Sequence, residues 1–134
     1  MLLIKSSLIL FFSLGLWMIE PGDDAPQTDN GLTIDAKVKP IIDAKCVGCH
    51  SADSKNEKAK EKLIWANLST LDKKEAAAAL DEVVEVLEKG KMPPAKFLER
   101  YPDKKLTEKE AKALRKWADK TANKMIIWMP RRGR

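Results

Sequence analysis

Cys46-Val47-Gly48-Cys49-His50 is the stretch from which the rest of this chain can be read. Its two thiols stand three residues apart, about one helical turn, and an imidazole follows at once. These are the only two cysteines and the only histidine in 134 residues. Three chemistries use such a set. A dithiol redox pair uses C-x-x-C, but sits in an α/β thioredoxin-like pattern, and none is visible here. A structural zinc site needs about four ligands, and Cys46, Cys49 and His50 are only three. A buried, inert pair leaves the adjacent histidine without a purpose. The third chemistry is covalent haem attachment. The thiols add to the two vinyl groups on one haem edge, and His50 meets the iron as proximal ligand. The motif therefore points to one haem c, held by Cys46 and Cys49.

The distal ligand follows by elimination. With one histidine in the chain, a second imidazole from the same chain is impossible. Thioether sulfur is the next donor. Met1 and Met18 belong to the N-terminal apolar segment, and Met125 and Met129 lie on or just past the last helical stretch. Met92 stands in Gly90-Lys91-Met92-Pro93-Pro94. Adjacent prolines stiffen that loop, so it holds a sulfur with little freedom left to lose. Met92 is the expected sixth ligand. The competing readings are a core methionine, an open or water-filled site, or Lys91.

Outward from the motif the chain reads as helix. The β-branched residues show no alternating pattern, and no internal repeat is present. Four helical pieces are predicted. Pro40 opens a short one over 40–46, leading into the first cysteine. A second covers 57–67 and ends in Leu63, Ile64 and Trp65. A third covers 71–89, with Ala76, Leu80, Val83, Val84 and Leu87 on one face. Ser69 or Thr70 caps its start, and Gly90 occupies the C′ position. The fourth covers 108–124, opened by the capping box Thr107-Glu108-Lys109-Glu110. Ala111, Leu114, Trp117, Ala118, Thr121 and Met125 form its inward stripe. Residues from Phe97 to Leu106 are read as loop. Trp65, Phe97 and Tyr101 are expected to wall the haem pocket, with Trp65, Tyr101 or a lysine as donor to a propionate. Leu114 and Trp117 are expected to pack the last helix onto the haem edge or the first helix.

The chain begins differently. Every residue from Leu8 to Ile19 is apolar except Ser13 and Gly15, and Lys5 sits just ahead. That is an export segment. No good small-x-small cleavage pattern follows, and Leu2 to Ile19 is marginally long enough to span a bilayer. It is either a signal peptide or a retained anchor. The expected layout is 1–19 signal or anchor, 20–33 flexible linker, 34–129 haem-binding domain and 130–134 basic tail. Net charge is +5. Residues 1–30 hold Lys5 against Glu20, Asp23, Asp24 and Asp29, a net −3, which leaves +8 for the remainder. Acidic and basic residues are interleaved, without a basic–aromatic platform, so no nucleic-acid partner is expected.

With these motifs in place, the chain resembles the small bacterial haem-binding domain family of monohaem c-type cytochromes, from about Val38 to about Ala122. The resemblance rests on Cys46 to Ser51, the Trp65-Ala66-Asn67-Leu68-Ser69-Thr70 segment, Gly90 to Pro94 and Tyr101-Pro102. Leu106-Thr107-Glu108-Lys109-Glu110 and Trp117 complete it. Two features depart from the family pattern. The segment between Ser51 and Trp65 is rich in lysine and glutamate where an aromatic–proline run is usual. Tyr101 replaces a frequent histidine, which removes an alternative axial ligand and favours Met92. The resemblance implies an all-α, cytochrome c-like fold of three to four short helices around one haem. The expectation is a bacterial, periplasmic or outer-face electron carrier, monomeric and not an enzyme, with acidic redox proteins as partners. A gas-sensing domain with an open sixth site is the alternative. A peroxidase is a third, against which the lack of a distal histidine or arginine constellation counts.

Overall fold

The computed structural model describes residues 30–127. The expected export segment, most of the linker and the basic tail lie outside the described residues. The described residues form five α-helices and two 3-10 turns, with no strand among them. The all-α expectation holds.

Helix α1 (Lys39–Lys45) has Pro40 in its first turn and runs directly into Cys46, whose N–H bonds the Ile42 carbonyl. Helix α2 (Glu57–Lys62) is capped by the Asn56 side chain, which accepts from Ala59 N–H. The second predicted helix is thus shorter than expected. The backbone turns extended at Leu63 and Ile64, then forms a 3-10 turn at Trp65–Ser69. A continuous helix would have stacked Leu63, Ile64 and Trp65 around one cylinder. The break lets Trp65 enter the core while the Leu63 carbonyl faces elsewhere.

Helix α3 (Lys73–Glu88) begins with a capping box between Asp72 and Glu75, not at Ser69 or Thr70. Those two residues close the preceding 3-10 turn instead, since each hydroxyl bonds a carbonyl three residues back. Ala76, Ala77, Leu80 and Val83 are its buried face. Gly90 ends it as expected, at φ +61°. Lys91 N–H bonds Val86 carbonyl at 2.8 Å and Gly90 N–H bonds Leu87 carbonyl at 3.2 Å. This paired closure needs a left-handed residue, which glycine supplies without a Cβ penalty.

A short helix α4 (Ala95–Leu98) and a 3-10 turn (Pro102–Lys104) occupy the stretch expected to be loop. Helix α5 (Glu108–Ile127) opens on the predicted capping box. Glu110 N–H donates to Thr107 Oγ1, and Thr107 N–H donates to a Glu110 carboxylate oxygen at 2.8 Å. That bond holds the Glu110 carboxyl below the usual carboxylate range. The buried face of α5 is Leu114, Trp117, Ala118, Ala122 and Met125.

Helices α3 and α5 pack on each other as the main core. Ile42, Leu68, Leu80 and Leu114 are its largest fully buried side chains. The packed domain starts earlier than the predicted linker boundary at residue 33. Asn30 is buried, and its Nδ2 donates to the carbonyls of Leu68 (2.6 Å) and Leu71 (3.0 Å). Its Oδ1 accepts from Leu32 N–H at 2.9 Å.

Candidate functional site

The C-x-x-C-H segment is wound as a turn off the end of α1. Cys49 N–H and His50 N–H both donate to the Cys46 carbonyl, at 3.1 and 3.0 Å. One carbonyl thus gathers the backbone of all three reactive residues. A second clasp fixes this turn against the far loop. Lys104 Nζ donates to the Ala44 carbonyl at 3.0 Å, while Lys45 Nζ donates to the carbonyls of Asp103 and Lys105. The last carbonyls of a helix lack partners within it, so lysine is well placed there.

His50 is oriented by the backbone. Its Nδ1 lies 2.9 Å from the Leu63 carbonyl oxygen. A carbonyl only accepts, so Nδ1 carries a proton, and in the neutral ring Nε2 keeps the lone pair. That is the arrangement a metal-ligating histidine needs, with its other nitrogen tied to a carbonyl. The His50 carbonyl in turn accepts from Trp65 N–H at 3.1 Å. The break after α2 therefore has a clear consequence: it presents Leu63 and Trp65 to the two ends of His50. Sequence reading missed Leu63 in this role, because a backbone acceptor leaves no trace in residue identity.

Cys46, Cys49 and His50 open onto an apolar cleft of about 240 Å³. Val83, Val86 and Leu87 of α3 form one wall, with Leu114 of α5 and Leu106 beyond. Met92, Pro93, Pro94 and Phe97 form another. The closure at Gly90 turns the chain so that Met92 follows on the same cleft as His50. All four predicted site residues therefore line one cavity. Met92 is 37 % exposed. It belongs to the cleft rim and not to the packed core, which bears on the competing reading of Met92 as a core residue.

One aromatic expectation needs correction. Tyr101 is exposed and does not line the cleft; it packs on Phe97 with ring centroids 4.9 Å apart. Of the two places expected for Trp117, it takes the side of the first helix, in one core cluster with Val38 and Ile42, and does not line the cleft. Its Nε1–H donates to the Thr33 carbonyl at 3.1 Å, and its ring meets Trp65 at 6.3 Å. Trp65 and Phe97 do line the cleft.

The chemistry of the thiols separates the remaining alternatives. Burial, reinforced by the neighbouring Cys49, pushes the Cys46 thiol up to about 11. A dithiol exchange site works the other way, by favouring thiolate. Among the described residues no three His, Cys, Asp or Glu side chains gather as a metal site. A haem meets this cleft on better terms. The walls are apolar, two thiols share one turn, and His50 offers a free Nε2. The buried Trp65 Nε1–H also lacks a hydrogen-bond partner in the cleft wall. A buried donor without a partner is costly, and a propionate oxygen is the kind of acceptor that would complete it.

Comparison with known sequences supports haem binding at the level of the family. A family model described as a haem-binding domain matches residues 54–120. The match takes in Trp65, Met92 and Trp117 and begins just beyond His50. It is narrower than the stretch from Val38 to Ala122 that carries the motifs of the resemblance. No curated protein and no solved structure matches the chain.

Proposed function

Because the chain belongs to the haem-binding domain family, we propose that it is an exported monohaem c-type cytochrome carrying single electrons. The observation that carries this reading is the one cleft shared by Cys46, Cys49, His50 and Met92, with His50 Nδ1 held by the Leu63 carbonyl. The bound haem would supply a one-electron iron couple. Cys46 and Cys49 would hold it by two thioethers. His50, fixed in its tautomer, would give Nε2 to the iron, and Met92 its sulfur. Two ligands held by the fold would change little between redox states, so little rearrangement would accompany the transfer. A thioether paired with histidine, in apolar surroundings, would raise the reduction potential. Trp65 Nε1–H would steady a propionate.

The reading is of a carrier and not a catalyst. Export rests on the apolar segment ahead of the domain. An exported carrier of this kind would work in the periplasm or on the outer face of the cytoplasmic membrane. Thioether attachment suits that setting, since the cofactor stays bound without resupply.

The optical spectrum of the purified holoprotein tests the proposal. The oxidised form should show the weak sulfur-to-iron charge-transfer band, and Met92→Ala should abolish it. Ready carbon monoxide binding by the reduced wild-type protein, with no such band, would replace the carrier with the ligand-sensing alternative. A haem released by acidified organic solvent would rule out covalent attachment.

A further inference from the structure

A second groove lies on the other flank of α5, and no residue lines both it and the haem cleft. Residues 31–38 form one bank, with Thr33, Asp35 and Lys37. Lys116, Lys120 and Lys124 form the other, spaced four residues apart so that they share one helix face. Lys37 and these three lysines are all exposed, and among the described residues none of the four is in an ion pair. Asp35 is the one acidic residue of the groove, and its carboxylate is engaged by Lys37 N–H at 2.8 Å. Asp119 is not among the groove residues, and it bonds Asn123. The groove is therefore cationic by a margin of three charges.

Trp117 lies beneath this groove. Its ring is nearly covered and touches Trp65 at 6.3 Å with a 37° tilt. Trp65 lines the haem cleft. Two indoles in contact thus span the distance from the haem cleft to the lysine groove. The Trp117 Nε1–H bond to the Thr33 carbonyl fixes the outer ring to the groove's other bank.

We infer that this groove is the docking face for an acidic one-electron acceptor protein, and that the Trp117–Trp65 contact couples the docked partner to the haem. The inference rests on the electron-carrier reading above. One electron passes from the reduced iron to the partner; no bond forms, no proton moves, and neither indole is oxidised. The unpaired lysines steer a negatively charged surface to this face. The contact is small and transient, as such encounters are.

The test uses ¹⁵N-labelled holoprotein titrated with polyglutamate at low ionic strength. Resonances of Trp117 Nε1–H and of Lys116 to Lys124 should shift, and salt near 0.5 M should abolish the effect. Lys116→Glu/Lys120→Glu should weaken the interaction by at least about tenfold. Shifts confined to Lys45, Lys62 and Lys96 near the haem cleft would overturn the docking face. So would binding to phosphatidylglycerol vesicles with no response to polyglutamate. Coupling is read separately, with a ruthenium photosensitiser tethered through Lys120→Cys. Trp117→Leu should slow electron transfer at least about tenfold, and Trp117→Phe should restore most of the rate. Equal rates in all three proteins would overturn the Trp route. The absorption spectrum of each sample reports axial ligation. Loss of the carrier reading and loss of the docking face are therefore seen independently.

Discussion

Asn30 offers the sharpest test of how the haem cleft is braced from outside. Its side chain makes three hydrogen bonds, two of them donated to the Leu68 and Leu71 carbonyls, at the junction between the Trp65 turn and α3. Asn30→Ala removes all three. At about 1 kcal/mol net for each bond, the loss is about 3 kcal/mol. That is a sizeable part of the roughly 5–15 kcal/mol that holds a domain together. Asn30→Asp sharpens the test. It keeps the acceptor for Leu32 N–H but sets a carboxylate against two carbonyls. At neutral pH it should therefore be the less stable variant of the two. The same repulsion raises the introduced carboxyl's folded-state pKa above its unfolded value near 3.9. The folded state then binds the proton more tightly, so this variant gains stability as the pH falls from 7 toward 4. Urea unfolding of the holoprotein at several pH values, followed by far-ultraviolet dichroism and haem absorbance, measures all of this. A loss under about 0.5 kcal/mol for Asn30→Ala would refute the reasoning, because a buried amide with three partners cannot be that cheap to lose. An Asn30→Asp variant more stable than Asn30→Ala at pH 7 would refute it too.

Other expectations concern the cleft and the helix ends. Trp65→Phe removes a buried donor that lacks a protein partner, so the haem-free chain should lose little stability. The holoprotein's reduction potential should fall, because a propionate left without its donor favours ferric iron; potentiometry decides, and an unchanged potential would take Trp65 off the propionate. Thr107→Ala should cost about 1 kcal/mol through loss of the α5 cap, read as a lower Tm. The Glu110 carboxyl is held down by Thr107 N–H, so its contribution is present at neutral pH and lost as the pH falls through its folded-state pKa. Glu110→Gln should flatten that acid limb of the Tm profile. Gly90→Ala places a Cβ in open space but at φ +61°. It should cost roughly 1–2 kcal/mol in conformation alone, and the sulfur-to-iron band should weaken as the Met92 loop loosens.

The sequence carried the site's reactive groups openly, because each is a side chain with distinctive chemistry. Cys46, Cys49 and His50 are read from spacing, and Met92 from elimination and its prolines. Local rules also placed the α5 cap and the Gly90 closure, since both depend on neighbours in the chain. What stayed hidden depends on distance along the chain or on the backbone. Asn30 reads as linker, and only contact with residues 38 and 41 positions away makes it part of the core. Trp117 reads as packing on the haem edge or on the first helix, and its bond to the Thr33 carbonyl, 84 positions away, is what the spacing alone could not choose. Leu63 reads as one more apolar residue, while its carbonyl sets the histidine's proton. The second helix reads as longer than it is because its apolar end fits a helical spacing. The Asn56 cap and the extended Leu63 show a short helix followed by a deliberate change of direction.

The bond from His50 to the Leu63 carbonyl spans thirteen residues. Between its ends the chain is mostly charged surface, with Ala59 its buried residue. Loop closure grows more costly only with the logarithm of length, about 0.6 kcal/mol for each doubling. The interior of this segment is thus a cassette. It can be lengthened, recharged or replaced while its two ends continue to hold the imidazole in place. The surface beside the cleft can thus change in length and charge without disturbing the ring that would meet the iron.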